Sequence, residues 1–386
     1  MSNAPHIPID TADFAANPYP VLAHMRAHAP IAFVPQLNAT LLTKRDLIHR
    51  EEKRIATFSS VQPGGLMEKI MGLNMMRKDG APHMEERKML FPALSPRTVV
   101  DHWTPIFSQI IEAQLDALEP RGACDLVTDF AMPVCGAALC AMTGLTNMTP
   151  QQMDRASQQM LDAVANYIAD PQIDEMGFAR SAEVDTFIDA QLEKLQGNPG
   201  PSILSVLSRA GMSRAGIGGN VKVIIGGGQN EPRDALAGMV AALLSHPDQH
   251  ALIKVGKQSY TDAFREYTRL EAPIQMTPRM IARPDTVDGV TFESGDRVFL
   301  MYSSACRDED VFDNPDQFDI TRNTSSAIPF GAGPHFCAGA AASRALVAEV
   351  AAPALFERFK GLHLTGPVKS HGWAFRGPLS VPVAWG

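Results

Sequence analysis

The sequence predicts a mostly α-helical protein with small β-sheets, and three observations carry that expectation. From about residue 82 to 244, apolar residues recur at spacings of three and four, broken only at Pro, Gly and Asp. Runs rich in β-branched and aromatic residues are short and lie before and after that stretch. Hydrophobic residues make up 45% and charged residues 20% of the 386, the balance of a globular chain with a large core rather than a disordered one.

In chain order, Ile31–Val34 and 39–43 form a hairpin around Pro35 and Asn38. Residues 101–118 form a helix ended by Pro120 and Gly122, and 181–195 form another, closed by the turn 197–200. The longest apolar run, near 131–142, is too short to span a bilayer. A long helix over 221–244 ends at Ser245-His246-Pro247. Strands return at Val290–Phe292 and 297–302 with Ser294-Gly295-Asp296 as the turn, and 378–385 is a closing β segment. Proline is evenly spread, and neither a linker nor a repeat is visible, so a single domain over 1–386 is expected.

Charge and cysteine usage narrow the function. The 34 Lys+Arg against 42 Asp+Glu give a net charge of −8, which argues against nucleic acid as a partner. Five cysteines at 124, 135, 140, 306 and 337 are an odd number without metal-type spacing, as in a reducing compartment without a disulfide framework. The first ten residues lack the basic start and apolar core of a signal peptide, so a cytoplasmic protein with no membrane association is expected.

The densest signal is Phe330-Gly331-Ala332-Gly333-Pro334-His335-Phe336-Cys337-Ala338-Gly339. Its glycines permit a tight loop with close backbone approach, running into a helix start. A cysteine there has its thiolate stabilised by free amides and suits an axial haem ligand. The bland alternative is a small buried hydrophobe.

These ten residues resemble the signature of the cytochrome P450 family, Phe-Gly-x-Gly-x-His-x-Cys-x-Gly, and the resemblance extends over nearly the whole chain. Glu266-Tyr-Thr-Arg269 is similar to the family's Glu-x-x-Arg helix. Ala305-Cys-Arg-Asp308 and Asn314-Pro-Asp-Gln-Phe-Asp319 resemble its meander, and Asp79 to Arg87 resemble the helix crossing the haem edge. The resemblance implies a helical, haem-enclosing fold and haem b, with iron bound by Cys337 in a loop that includes Phe330, Gly331 and Gly339. It implies propionate partners His83, Arg87, Arg279 and His335. Glu266 and Arg269, at i and i+3, are positioned for a structural ion pair. The family often has a basic residue where this chain has Gln317, and Arg322 is expected to complete the network.

The central helix departs from the family. It reads Gly226-Gly-Gly-Gln-Asn-Glu-Pro-Arg-Asp234, so the acid–alcohol pair falls on Asn230 and Glu231, with Glu231 where the threonine usually stands. Three glycines cost a helix about 1 kcal/mol each and an interior proline about 3 kcal/mol, so local propensity favours a loop and only the flanking pattern favours a helix. The resemblance implies oxygen binding at Gly227 and Gly228. Glu231, helped by Asn230, either delivers protons for oxygen activation or pairs with Arg233 or another cation and points away.

The implied activity is insertion of one oxygen atom from O2 into a small hydrophobic or aromatic substrate, by hydroxylation or O-dealkylation. Segments 58–75, 160–173, 223–227, 274–278 and 373–379 would wall the pocket, with Met75, Ile224, Ile274, Met276 and Phe375 as candidate contacts. Gly-Gly-x-x-Glu-Pro helices resemble a minority of bacterial members, some acting on methoxylated aromatics. The length leaves no room for a fused reductase, so electrons are expected from NAD(P)H through a ferredoxin and its reductase, docking near Arg87, Lys88 and Arg344. Two alternatives remain: a peroxygenase in which Glu231 acts as base on hydrogen peroxide, and a non-catalytic haem sensor or carrier.

Overall fold

The computed structural model describes residues 2–195 and 200–386, so most of the turn expected at 197–200 lies outside the described residues. The chain forms two compact units. One gathers Met1–Gln62, Arg265–Cys337 and Lys369–Leu379; the other gathers Pro63–Phe264, Ala338–Val368 and Ser380–Gly386.

The first unit is built on a five-stranded sheet. Ile31–Val34 pairs antiparallel with Ala39–Leu42, and Asn38 adopts the left-handed conformation (φ 45°) that asparagine tolerates. Ala39–Leu42 then runs parallel to Arg297–Leu300, which is followed by antiparallel Thr277–Ile281 and Phe58–Ser59. Ile31, Phe33, Leu42, Phe58, Val298 and Leu300 form a core with Leu47 and Ile48 of the helix Arg45–Glu51. The strand Val290–Phe292 does not pair with 297–300 as expected. It pairs with Asp285–Val287, because Asp288 (φ 46°) and Gly289 (φ 84°) form the two-residue left-handed turn that closes a hairpin. The Ser294-Gly295-Asp296 turn instead leads the chain from one sheet into the other.

The expected closing segment at 378–385 is also two strands in different sheets. Gly377–Ser380 pairs with Lys369–His371, while Pro382–Ala384 lies between Ala123–Asp125 and His363–Leu364. Pro382 has no N–H and cannot carry a ladder on from Ser380.

The second unit is helical. The helix expected at 101–118 starts as a π-turn, Val99–Trp103, continues as Thr104–Leu118 and stops at Gly122 (φ 68°). The apolar run expected at 131–142 is longer in the structure. A π-helical segment, Leu126–Ala131, joins Met132–Thr143 into an 18-residue apolar stretch, 67% of it buried. Its apolarity serves packing, because both parts lie against the central helix.

That central helix, Arg214–Ser245, runs unbroken through Gly226, Gly227, Gly228 and Pro232. Its buried Val221, Ile225, Leu236, Met239, Val240 and Leu243 explain why helix wins over loop. Burial of such side chains contributes about 1.5–3 kcal/mol each, which outweighs the propensity penalty.

Candidate active site

The cysteine loop belongs to the first unit. Gly331 N donates to Ile328 O (3.0 Å), Phe336 N to Gly333 O (3.0 Å) and Cys337 N to Phe330 O (2.9 Å), a compact turn in which Gly331 has φ 76°. Cys337 is exposed, whereas Cys124, Cys135, Cys140 and Cys306 are buried. Burial pushes the Cys140 and Cys306 thiols up to about 11 and Cys124 up to about 12, and raises Cys135 as well. Buried thiols of that kind stay protonated and inert. Phe330 and His335 are half-buried on the same loop.

Arg279 sits on the strand Thr277–Ile281 and is 3% exposed. Its Nη1 donates to Pro278 O (2.9 Å) and Thr277 Oγ1 (3.3 Å), and Nη2 stands 3.7 Å from Glu52 Oε1. Its Nε is buried with no hydrogen-bond partner. A buried guanidinium with an orphaned N–H retains capacity for an anion.

The same unit contains a buried ion network. Glu266 and Arg269 lie at i and i+3 on the helix Tyr260–Leu270, with Arg269 Nε 2.7 Å from Oε2 and Nη2 2.8 Å from Oε1. Arg269 also caps Cys306 O and Pro315 O (2.8 Å each). Arg322 Nε donates to Glu266 Oε1 at 3.2 Å, and Asp319 N donates there at 3.0 Å. Gln317 contributes through its backbone, its carbonyl accepting from Arg269 Nη2 (3.2 Å). Of the candidate substrate contacts, Ile274 and Phe375 meet in an isolated antiparallel bridge, and Met276 is buried nearby in sequence.

In the second unit, His83 is buried on the helix Gly80–Leu94, and its Nδ1 donates to Met75 O (2.9 Å). A carbonyl only accepts, so Nδ1 carries a proton. Arg87, one turn on, is half-buried. Met75 is buried, its N–H held by Asn220 Oδ1 (3.0 Å), and Ile224 is half-buried. Lys88 is exposed, but Arg344 is paired with Glu349 (2.9 Å), which reduces what it adds to a positive face.

The central-helix glycines differ in purpose. A Cβ at Gly228 would stand 2.8 Å from Leu139 Cδ1, so a larger residue there requires Leu139 to shift. A Cβ at Gly227 would meet nothing within 4 Å, and this residue is exposed. Pro232 cannot donate to the carbonyl of Gly228, and Gly226 O accepts from Ser157 Oγ (3.1 Å), so the helical ladder is modified around these glycines.

Both carboxyl oxygens of Glu231 are buried and make no hydrogen bond to another residue. Arg233 does not pair with it: its Nη1 binds Asp154 Oδ1 and its Nε binds Asp234 Oδ1, each at 2.8 Å. Burial pushes the Glu231 carboxyl up to about 8, opposed by its own backbone amide and Arg233 and reinforced by Asp234. Asn230 Nδ2 donates to Gln158 Oε1 (2.7 Å), whose amide donates to Asp162.

Two residues of the first unit, Glu52 and Tyr302, escaped sequence reasoning. Glu52 follows Glu51 at a helix end, where paired acids read as surface, and nothing local marks it as fully buried.

Comparison with known proteins gives this geometry its context. The family model of cytochrome P450 matches residues 255–365, which include the Glu266–Arg269 helix and the cysteine loop. The chain is 30% identical to 6-deoxyerythronolide B hydroxylase of Saccharopolyspora erythraea over 297 residues, 75% of this chain and 72% of that one. It is 28% identical to the cytochrome P450 monooxygenase PikC of Streptomyces venezuelae, over 97% and 92% of the two chains. Among solved structures, P450BioI in complex with an acyl-carrier protein superposes with a TM-score of 0.89 at 21% identity, covering 97% of this chain and all of that one. The chain belongs to the cytochrome P450 family, whose members bind haem through a cysteine thiolate. Within that family it is a bacterial monooxygenase, an oxidoreductase.

Proposed function

We propose that this enzyme inserts one atom of O2 into a small hydrophobic or aromatic substrate, by hydroxylation or O-dealkylation, methoxylated aromatics being the specific class to try first. Electrons come from NAD(P)H through a separate ferredoxin and reductase, and the chain works as one catalytic domain over 1–386 in the cytoplasm. The observation that carries the reading is that Cys337, in the segment that matches the family, is exposed while the other four cysteines are buried. The residues fit the cofactor: Cys337 would hold the iron, and Arg279, with an orphaned buried Nε, would hold propionate with His335, while His83 and Arg87 are the propionate residues proposed on the second unit. When bound, haem supplies thiolate-ligated iron, the redox centre for oxygen activation. Spin-state titration against a panel of methoxylated and unsubstituted aromatics, followed by product analysis, tests the substrate class. The proposal falls if only large or strongly charged compounds bind and turn over.

Glu231, with Asn230, supplies protons. A carboxyl titrating near 8 is protonated at neutral pH and is a donor matched to the working pH. Glu231→Gln is expected to lower kcat by about 10²–10⁴-fold, and wild-type turnover with O2 is expected to fall as pH rises through about 8. Because the folded carboxyl is raised above its ordinary range, stability also falls as pH rises from that range toward 8, and Glu231→Gln flattens this segment. The charged groups that act on it, Arg233 and Asp234, remain in both proteins.

The same unpaired carboxyl supports a second reading. Ionised, Glu231 is a base for hydrogen peroxide, and peroxide-driven turnover would then increase above pH 8. Turnover with peroxide alone is compared with turnover on NAD(P)H, ferredoxin and reductase; activity only with the latter removes the peroxygenase. Membership of a family of named monooxygenases sets aside the sensor or carrier.

Gly227 and Gly228 give a paired test of the oxygen groove. Gly228→Ala is expected to lose about 1–3 kcal/mol from overpacking against Leu139. Gly227→Ala is expected to gain up to about 1 kcal/mol of helix stability while substrate oxidation falls. Denaturant unfolding and turnover on both variants separate the two.

A further inference from the structure

A chain of hydrogen bonds within the first unit ends on one buried carboxylate. Arg279 Nη1 donates to Thr277 Oγ1 (3.3 Å), Thr277 Oγ1 donates to Tyr302 Oη (3.0 Å), and Tyr302 Oη donates to Glu52 Oε1 (2.7 Å). From the other side, the backbone N–H of Ala332 in the cysteine loop donates to Glu52 Oε2 (2.9 Å). Glu52, Tyr302 and Arg279 are 1%, 3% and 3% exposed. The directions are forced. Threonine passes its single proton to the tyrosine, the tyrosine passes its own to Glu52, and an amide N–H only donates. Both oxygens of Glu52 therefore act as acceptors.

The loop is shaped around this residue. A Cβ at Gly331 would stand 2.8 Å from Glu52 Oε1, and one at Gly333 would stand 2.9 Å from Glu52 O. Two of the loop's glycines thus make room for Glu52, in addition to the positive φ at Gly331. An aliphatic residue at position 52 would take away the acceptor of both the Tyr302 hydroxyl and the Ala332 amide.

We propose that Glu52 is a positioning residue: it holds the Cys337 loop in shape, ties that loop to Arg279, and through its buried negative charge lowers the reduction potential of the iron. This rests on Cys337 being the ligand. Buried partners behind a metal ligand commonly tune both its geometry and the metal's potential.

The test uses the purified holoenzyme, with three readings: the lifetime of the thiolate-type spectrum of the reduced carbon-monoxide complex, the iron midpoint potential, and the urea unfolding midpoint. Glu52→Gln preserves size and removes the charge; it is expected to shift the potential positive and shorten the lifetime several-fold. Glu52→Asp keeps the charge but not the reach, so the potential stays close to wild type while the lifetime shortens. Tyr302→Phe removes one donor, keeps the charge and shortens the lifetime. Combined with Glu52→Gln it shortens the lifetime further and leaves the potential where Glu52→Gln puts it, because one change removes the hydrogen bond and the other the charge. If Glu52→Gln fails to retain haem, Tyr302→Phe and Glu52→Asp carry the comparison through the lifetime, and wild-type lifetimes in both overturn the proposal. The proposal is overturned if the variants lower only the unfolding midpoint and leave potential and lifetime at wild-type values. A wild-type protein without a thiolate-type spectrum would instead overturn the ligand assignment of Cys337, so the two failures are distinct.

Discussion

Cys337→Ser is expected to abolish the thiolate-type Soret band of the reduced carbon-monoxide complex and, with it, substrate oxidation. The loop should survive the change. Its shape rests on the backbone bonds from Gly331, Phe336 and Cys337 and on the Glu52–Ala332 contact, none of which uses the sulfur. Urea unfolding of the apoprotein should therefore remain within about 0.5 kcal/mol of wild type, while the electronic push of the thiolate is lost. The other four cysteines cannot substitute, being buried with raised thiol pKa values. A Cys337→Ser protein that retains the band would show that the ligand lies elsewhere.

The second large effect is expected at Glu266. Its two oxygens accept four hydrogen bonds, two from Arg269, one from Arg322 and one from the Asp319 amide, and it is fully buried. Glu266→Ala leaves the Arg269 guanidinium buried without its counter-ion. Breaking a buried pair by removing one partner costs about 3–5 kcal/mol, a large part of the stability of most domains. Denaturant unfolding should show that loss, and haem content should fall with it, because the same arginine holds carbonyls of the segment leading to the cysteine loop. An Ala variant with normal haem loading and unfolding midpoint would remove the structural role. Arg322→Ala is expected to cost less, since Arg269 still neutralises Glu266.

The features that were readable in the sequence are those whose physics is local. The helices follow from apolar spacing and breakers, and the hairpin at 31–42 from β-prone runs flanking Pro35 and Asn38. The Glu266–Arg269 pair follows from i, i+3 geometry, and the cysteine loop from glycines and a cysteine within ten residues. The partner of Val290–Phe292 is also legible locally, in the Asp288-Gly289 turn just upstream of Ser294-Gly295-Asp296. The central helix was readable only through its flanks; its own glycines and proline argue for a loop until the buried faces on both sides are counted.

Short motifs thus carried the resemblance to the family, the ligand loop and the unusual glutamate in the central helix. Tertiary packing decided that both Glu231 oxygens are buried with no hydrogen bond to another residue, that Arg233 is occupied by Asp154 and Asp234, and that Glu52 accepts from an amide 280 residues away. The reason is desolvation. Whether a carboxylate is a solvated surface charge, a paired anchor or an unpaired proton carrier depends on which groups surround it in space, and those groups come from distant parts of the chain.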